Sequence, residues 1–172
     1  MSKDITGAIT THKSVLGMLI DDHCEVEALF KDFKLANNDV ERHSIVQQTC
    51  LALTEHAEIE QKHLYPYLRN ADPESFNDLL DEANVQVESA RDLIALLKYM
   101  KPGDDLYQAR FAVLEKFINQ HVSEEEGEVF LKVISNGIDL RQLAAPILEA
   151  KTKARALSAG KAFDIFRGNL LA

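Results

Sequence analysis

Two stretches of this chain repeat one spacing. His56-Ala-Glu-Ile-Glu60 and His121-Val-Ser-Glu-Glu125 each place a histidine four residues before a glutamate. On an α-helix that offset turns only about 40° and rises about 6 Å. Each pair therefore aims an imidazole and a carboxylate from one stripe of one helix. His23 adds a third imidazole. An ionised carboxylate buried without a partner is strongly unfavourable. Two buried glutamates among three histidines would have raised carboxyl pKa values and depressed imidazole ones. A divalent or trivalent cation removes that conflict, and imidazole with carboxylate suits iron, manganese or zinc. The candidate metal ligands are His23, His56, Glu60, His121 and Glu125. A single His-x-x-x-Glu is more often a surface hydrogen-bonded pair; the doubled spacing and the third histidine select the metal reading.

The elements that must position these residues read as helices nearly throughout. The first predicted helix spans about 6–35, with Leu16, Leu19, His23, Val26 and Phe30 on one face. Asn37-Asn38-Asp39 breaks it and caps the next. The second spans about 39–69, with Thr49, Leu53, His56, Glu60, His63 and Leu64 inward, and Pro66 bending or weakening its last turns. Asp72-Pro73-Glu74 starts the third, about 73–100, whose stripe is Phe76, Leu80, Ala83, Val87, Ala90, Ile94 and Leu97. Lys101-Pro102-Gly103-Asp104 is a turn and a new cap. The fourth spans about 104–135, with Phe111, Leu114, Phe117, His121 and Glu125 inward, and Asn136-Gly137 closes it. A shorter fifth helix, about 139–158, carries Leu140, Leu143, Ile147 and Leu148.

Long helices with short connections give an all-α, antiparallel up-down-up-down four-helix bundle with a short C-terminal fifth helix. Residues 1–158 form the domain and 159–172 a loose tail. Phe163, Ile165, Phe166 and Leu170 of that tail could dock on the bundle or on a second copy, giving a homodimer. In such a bundle His23, His56 and His121 each lie about 17 residues into their helix, and Glu60 and Glu125 about 21. Those depths meet near the middle. Glu124, Glu126 and Glu128 read mostly as a solvated face. Glu58 points to solvent, and His12 and His43 read as surface or helix-end residues. Tyr65 and Tyr67 are core groups or neighbours of the ligands.

Bulk properties narrow the function. A net charge of −9 opposes binding to nucleic acid or an anionic membrane. No apolar run approaches the ~20 residues of a membrane span. The N-terminal residues lack a signal or transit pattern, so the expected compartment is the cytoplasm. Cys24 and Cys50 make no disulfide framework and read as buried thiols. Cys24 adjoins His23 but points about 100° away, a poor position for a ligand.

The stretches DDHCEVEALF (21–30), CLALTEHAEIEQKHLYPYLR (50–69), EANVQVESARDLI (82–94), FINQHVSEEEGEVF (117–130) and NGIDLRQL (136–143) resemble the hemerythrin-like HHE cation-binding domains of bacteria. The resemblance implies a four-helix bundle holding a pair of non-haem irons. It implies metal roles for His23, His56, Glu60, His121 and Glu125, with the two glutamates as bridges. It also implies binding of dioxygen, reaction with peroxide or nitric oxide, or sensing or storage of iron. Oxidase-like or peroxidase-like turnover is compatible with the same ligands, so enzymatic status stays open. Two positions depart from the family pattern. Val87 stands where the third helix should supply a ligand histidine, beside Gln86, and Gln61 stands where a second glutamate commonly follows Glu60. His63, three residues after Glu60, is a further candidate ligand for a displaced second ion. The expected site is an asymmetric or incomplete iron pair, with zinc or manganese as other ions of the same geometry. The alternative is a degenerate, metal-poor bundle that serves as a protein-interaction module.

Overall fold

The computed structural model describes the backbone of residues 3–168 and the side chains of residues 15–156. Helix α1 (Lys3–Leu35) precedes α2 (Asp39–Ile59), a π-helical turn (Glu60–Leu64) and α3 (Tyr65–Ala71). Then come α4 (Pro73–Leu97), α5 (Tyr107–Glu124), a second π turn (Glu125–Phe130), α6 (Leu131–Ser135) and α7 (Arg141–Gly168). Helices α1, α2, α4 and α5 pack as a four-helix core, and α7 lies against α1 and α2.

Local chemistry sets the boundaries. Asn38 Oδ1 accepts the Glu41 N–H at 2.9 Å, and Glu41 Oε2 accepts the Asn37 N–H at 2.9 Å. These bonds satisfy donors left open at the start of α2. Asp72 Oδ1 accepts the Ser75 N–H at 3.1 Å, with Pro73 in the first turn of α4. Gly137, at φ 65°, ends α6 while the Ile138 N–H reaches the Val133 carbonyl at 3.0 Å. The α5 start differs from the sequence expectation. Asp104 Oδ2 accepts the Lys101 N–H at 2.7 Å and closes that turn, so it does not cap the helix. The chain then passes through Leu106 at φ 65° and becomes α-helical at Tyr107.

Two apolar clusters fill the bundle. One gathers Leu16 and Leu19 of α1, Leu68 of α3, Phe76 and Leu80 of α4, and Val129 and Val133 after Glu125. The other gathers Val26 and Phe30 of α1, Val46 and Leu53 of α2, Ile94 and Leu97 of α4, and Phe111 and Leu114 of α5. Residue numbers rise from the first cluster to the second in α1 and α4 and fall in the other two rods. That alternation is the antiparallel up-down-up-down order read from the sequence. Between the clusters each rod contributes one stretch: 22–23, 56–60, 86–87 and 121–125. The site residues fall in this middle layer.

Four inward assignments need correction, among them His63, which is only half-buried in the first π turn. Phe117 is 39% exposed and Ile118 is buried in its place, because the α5 stripe steps 111, 114, 118, 121, 125. Leu148 is 58% exposed; the buried residues there are Leu140, just before α7, and Leu143 and Ile147 within it. Cys24 is exposed rather than buried, since it follows the inward His23 by a third of a turn. Cys50 is buried, and burial pushes its thiol up to about 11. The backbone of α7 continues as helix to Gly168. The side chains from residue 157 onward, and with them the expected docking of Phe163, Ile165, Phe166 and Leu170, lie outside the described residues, as does the side chain of His12.

Candidate metal centre

Four residues bring ligand atoms together. One ligand atom each from His23, His56, Glu60 and Glu125 lies within 4.8 Å of every other, and all four side chains are buried. His23 Nε2 and His56 Nε2 face each other at 3.1 Å. His23 Nε2 is 3.4 Å from Glu125 Oε2, and His56 Nε2 is 2.8 Å from Glu60 Oε1. His121 joins the edge of the group, its Nε2 3.7 Å from Glu60 Oε2. Glu60 Oε1, His121 Nε2 and Glu125 Oε2 are buried with no hydrogen bond of good geometry; each meets only another ligand atom of the group, at 2.8, 3.7 and 3.4 Å. Such atoms are rare in folded proteins and call for an unseen partner. All three belong to the same layer.

The outer nitrogen of each imidazole is held. His23 Nδ1–H donates to Glu126 Oε1 at 2.7 Å, His56 Nδ1–H to Asp22 Oδ2 at 3.3 Å, and His121 Nδ1–H to Gln86 Oε1 at 3.1 Å. A proton fixed on Nδ1 leaves Nε2 to donate its lone pair inward, the arrangement that metal-ligating histidines need. The supports are themselves supported. Gln86 Nε2 donates to Glu124, which fixes the amide so that its oxygen meets His121. Lys151, reaching in from α7, pairs with Asp22 and also donates to the Met18 carbonyl at 3.2 Å. Tyr65 places its hydroxyl 3.2 Å from Glu60 Oε2 and 3.2 Å from Glu125 Oε1, so it spans both carboxylates.

Both buried glutamates open a π turn: Glu60 the first, Glu125 the second. A π turn adds a residue to the helical circuit and recurs at functional sites. Here it also moves the inward face one position. Leu64 and Tyr65 are buried after Glu60, whereas His63 is half-buried and stands outside the gathered ligand atoms. The 3.6-residue period that would return His63 to the His56 face does not hold across this turn.

Electrostatics divides the two carboxylates. Burial would raise Glu60, but His56 and His121 hold it well below the usual carboxylate range. Burial, followed by the neighbouring Glu60 charge, raises Glu125. Burial would lower His56, yet Glu60 and Asp22 push it up to about 10. His121 is also raised: burial opposes the charge, and Glu60 outweighs it. Burial would raise Asp22, but His56 and Lys151 hold it low. Burial and both glutamates raise the Tyr65 hydroxyl well above its ordinary value. With protein groups alone, the Glu60 carboxylate favours the protonated form of the two imidazoles that face it.

The remaining sequence candidates separate cleanly. Glu58 is exposed and pairs with Lys62 at 2.8 Å. His43 is half-buried against the Tyr107 hydroxyl at 3.3 Å. Tyr67 donates to the Asp139 carbonyl at 2.6 Å and accepts from Gln142 at 2.8 Å, tying α3 to the start of α7. Val87 is buried and lines the same cavity as His56, Glu60 and His121. Sequence reasoning missed Asp22, Glu126 and Lys151 and gave Gln86 no task. Asp22 and Glu126 each adjoin a predicted ligand, and that adjacency was the available signal.

The family model for the hemerythrin HHE cation binding domain matches residues 14–133, most of the chain. A DNA nickase from Nostoc sp. (strain PCC 7120) is 29% identical over 144 residues, which cover 82% of this chain and 40% of that protein. The chain thus spans less than half the length of that relative. No solved structure matches the chain significantly.

Proposed function

The chain belongs to the hemerythrin HHE cation-binding family, and on that premise we propose that it is a non-haem iron protein with an asymmetric site. His23, His56, Glu60 and Glu125 would hold the tighter ion. His121 with the free oxygens of the two glutamates would hold a weaker second one. Val87 gives that second position no nitrogen from α4. The observation that carries this reading is the trio of buried atoms Glu60 Oε1, His121 Nε2 and Glu125 Oε2, whose nearest polar neighbours are other ligand atoms of the same layer. Iron is favoured because mixed carboxylate and imidazole ligation inside a four-helix bundle suits it. Bound iron would supply one-electron chemistry toward dioxygen, peroxide or nitric oxide, or the iron itself would be the quantity sensed or handled.

The chain's own residues set the conditions. Asp22, Glu126 and Gln86 keep the three Nδ1 protons, so each Nε2 stays available. Tyr65 holds a proton at its hydroxyl between the two carboxylates. The apolar clusters above and below close the layer along the bundle axis. Among the described residues no helix is long and apolar enough to cross a membrane. We take residues 1–158 as one cytoplasmic domain and 159–172 as a tail that docks on the bundle or on a second copy. The nicking named for the Nostoc protein is not carried over: a net charge of −9 repels a phosphate backbone.

Elemental analysis of protein purified with and without air, together with its near-ultraviolet spectrum, tests the proposal. Between one and two irons per chain, with a ferric charge-transfer band in air, is expected. Zinc alone would remove the redox role. No stoichiometric metal would favour the metal-poor interaction module, for which Val87 is the supporting feature.

Two further outcomes follow from the geometry. Against its burial, His56 is pushed up to about 10 by Glu60 and Asp22 and carries a proton near neutral pH, and His121 and Glu125 shift in the same direction. A cation that takes His56 Nε2 must displace its proton, so Fe(II) added at about pH 7 should release about one proton per ion. Affinity should rise as pH rises from about 6 to about 8. A weakly buffered indicator dye reads this directly, and proton-neutral uptake would contradict it. Lys151→Met removes the ammonium that holds Asp22, and through it His56, in place. Metal affinity should fall roughly 10-fold, the range for outer supports of a ligand, with helicity retained. Competition against a chromophoric chelator measures it; wild-type affinity would show that α7 does not position the site.

A further inference from the structure

A cavity of about 410 Å³ opens in the seam between α2 and α4 and reaches inward to the His/Glu layer. Its wall is apolar, formed by Leu53, Val87, Ala90, Ile94 and Ile118. A concave, mostly apolar space of this volume with a few polar groups has the character of a small-molecule site. Its mouth is different. Arg91 and Lys98 stand exposed there, seven residues and so two turns apart on one face of α4. Arg91 donates to Gln61 Oε1 at 2.8 Å and Lys98 to Thr54 Oγ1 at 3.4 Å. Neither takes part in an ion pair among the described residues. Glu58, the acidic residue at the same mouth, is neutralised by Lys62 at 2.8 Å. Two cations without carboxylate partners among the described residues, beside an apolar shaft, stand out in a chain of net charge −9.

We infer that this cavity binds a medium-chain monocarboxylate, with its head group on Lys98, its alkyl chain lying along Ile94, Ile118 and Ala90 toward Val87, and Arg91 adding positive charge along the mouth. Charge complementarity selects an anionic head, because both unpaired groups at the mouth are cationic. The apolar wall selects a hydrocarbon body. From Lys98 to Val87 the lining runs along eleven residues of the α4 rod, about 16 Å, the reach of a medium-chain acid extended from its carboxylate. Val87 has a part in this: a valine carries the apolar wall up to the layer, where an imidazole would end it with a polar group. The binding does not require a metal ion to be present.

Calorimetric titration of the full chain with decanoate, with metal content measured separately on the same protein, tests the inference. One saturable site per chain is expected. Arg91→Glu and Lys98→Glu, both at exposed positions, should each weaken it at least tenfold. Decylamine and 1-decanol should bind at least tenfold more weakly than decanoate. Val87→His should also weaken decanoate by shortening the apolar wall. No saturable binding to the wild-type chain, equal binding of decylamine, or indifference to both charge reversals would overturn the inference. The two proposals fail separately. Decanoate binding without bound metal leaves the cavity reading standing, and bound metal without decanoate binding overturns the cavity reading alone.

Discussion

Glu60→Gln is expected to lower metal affinity by more than about 100-fold, since even changes in the outer supports of a ligand cost roughly 10–100-fold. Glu60 is the residue through which the layer is connected. Its carboxylate lies 2.8 Å from His56 Nε2, 3.7 Å from His121 Nε2 and 3.2 Å from the Tyr65 hydroxyl. Glutamine keeps the volume and removes the charge. It also offers an amide N–H, which cannot ligate, to one of the two imidazoles. Without the Glu60 charge the causes that raise His56 and His121 are largely removed. Removing one partner of a buried ion pair costs about 3–5 kcal/mol, so the metal-free variant should also melt lower while staying helical. Metal competition and circular dichroism on the same sample separate the two losses. Wild-type affinity in a folded Glu60→Gln chain would remove Glu60 from the ligand set.

Val87→His should act in the opposite direction and raise occupancy toward two ions per chain. Val87 is buried, lies in the middle layer between the two apolar clusters, and shares a cavity with His56, Glu60 and His121. An imidazole there would point from α4 into space that is now apolar, and the 410 Å³ of that cavity accommodates the ring. The expected result is a second equivalent of iron retained through gel filtration and a stronger near-ultraviolet band. Unchanged stoichiometry would mean that the α4 side of the layer is not a ligand position.

The helices, their antiparallel order and the shared depth of the five candidates were legible because they follow from period and length. His23, His56 and His121 are buried at one level, as 3.6-residue stepping from the apolar stripes requires. The π turns were not legible. Nothing in Glu60-Gln-Lys-His-Leu64 distinguishes a widened turn from an ordinary one, so His63 was assigned a face that Leu64 and Tyr65 occupy. The supports were hidden for another reason. Glu126 sits in an acidic run that reads as a solvated face, yet it holds a ring 103 residues away. Lys151 meets Asp22 across 129 residues, a pairing that only the docking of α7 decides. Gln86, noted as the neighbour of the missing histidine, holds His121 35 residues on. Local pattern reports which residues face inward; it does not report which outward-leaning polar groups meet them from another helix.

The central claim is that five buried polar side chains gather because a cation joins them. Thermal unfolding of the chelator-stripped chain, with and without Fe(II) under anaerobic conditions, addresses it most directly. A ligand at about 100 times its dissociation constant stabilises the native state by about 2.7 kcal/mol. For a domain of this size that corresponds to a rise in Tm of roughly 5–10 °C, and the rise should vanish in His56→Ala. An unchanged Tm in the wild-type chain, or an equal rise in the variant, would contradict the account.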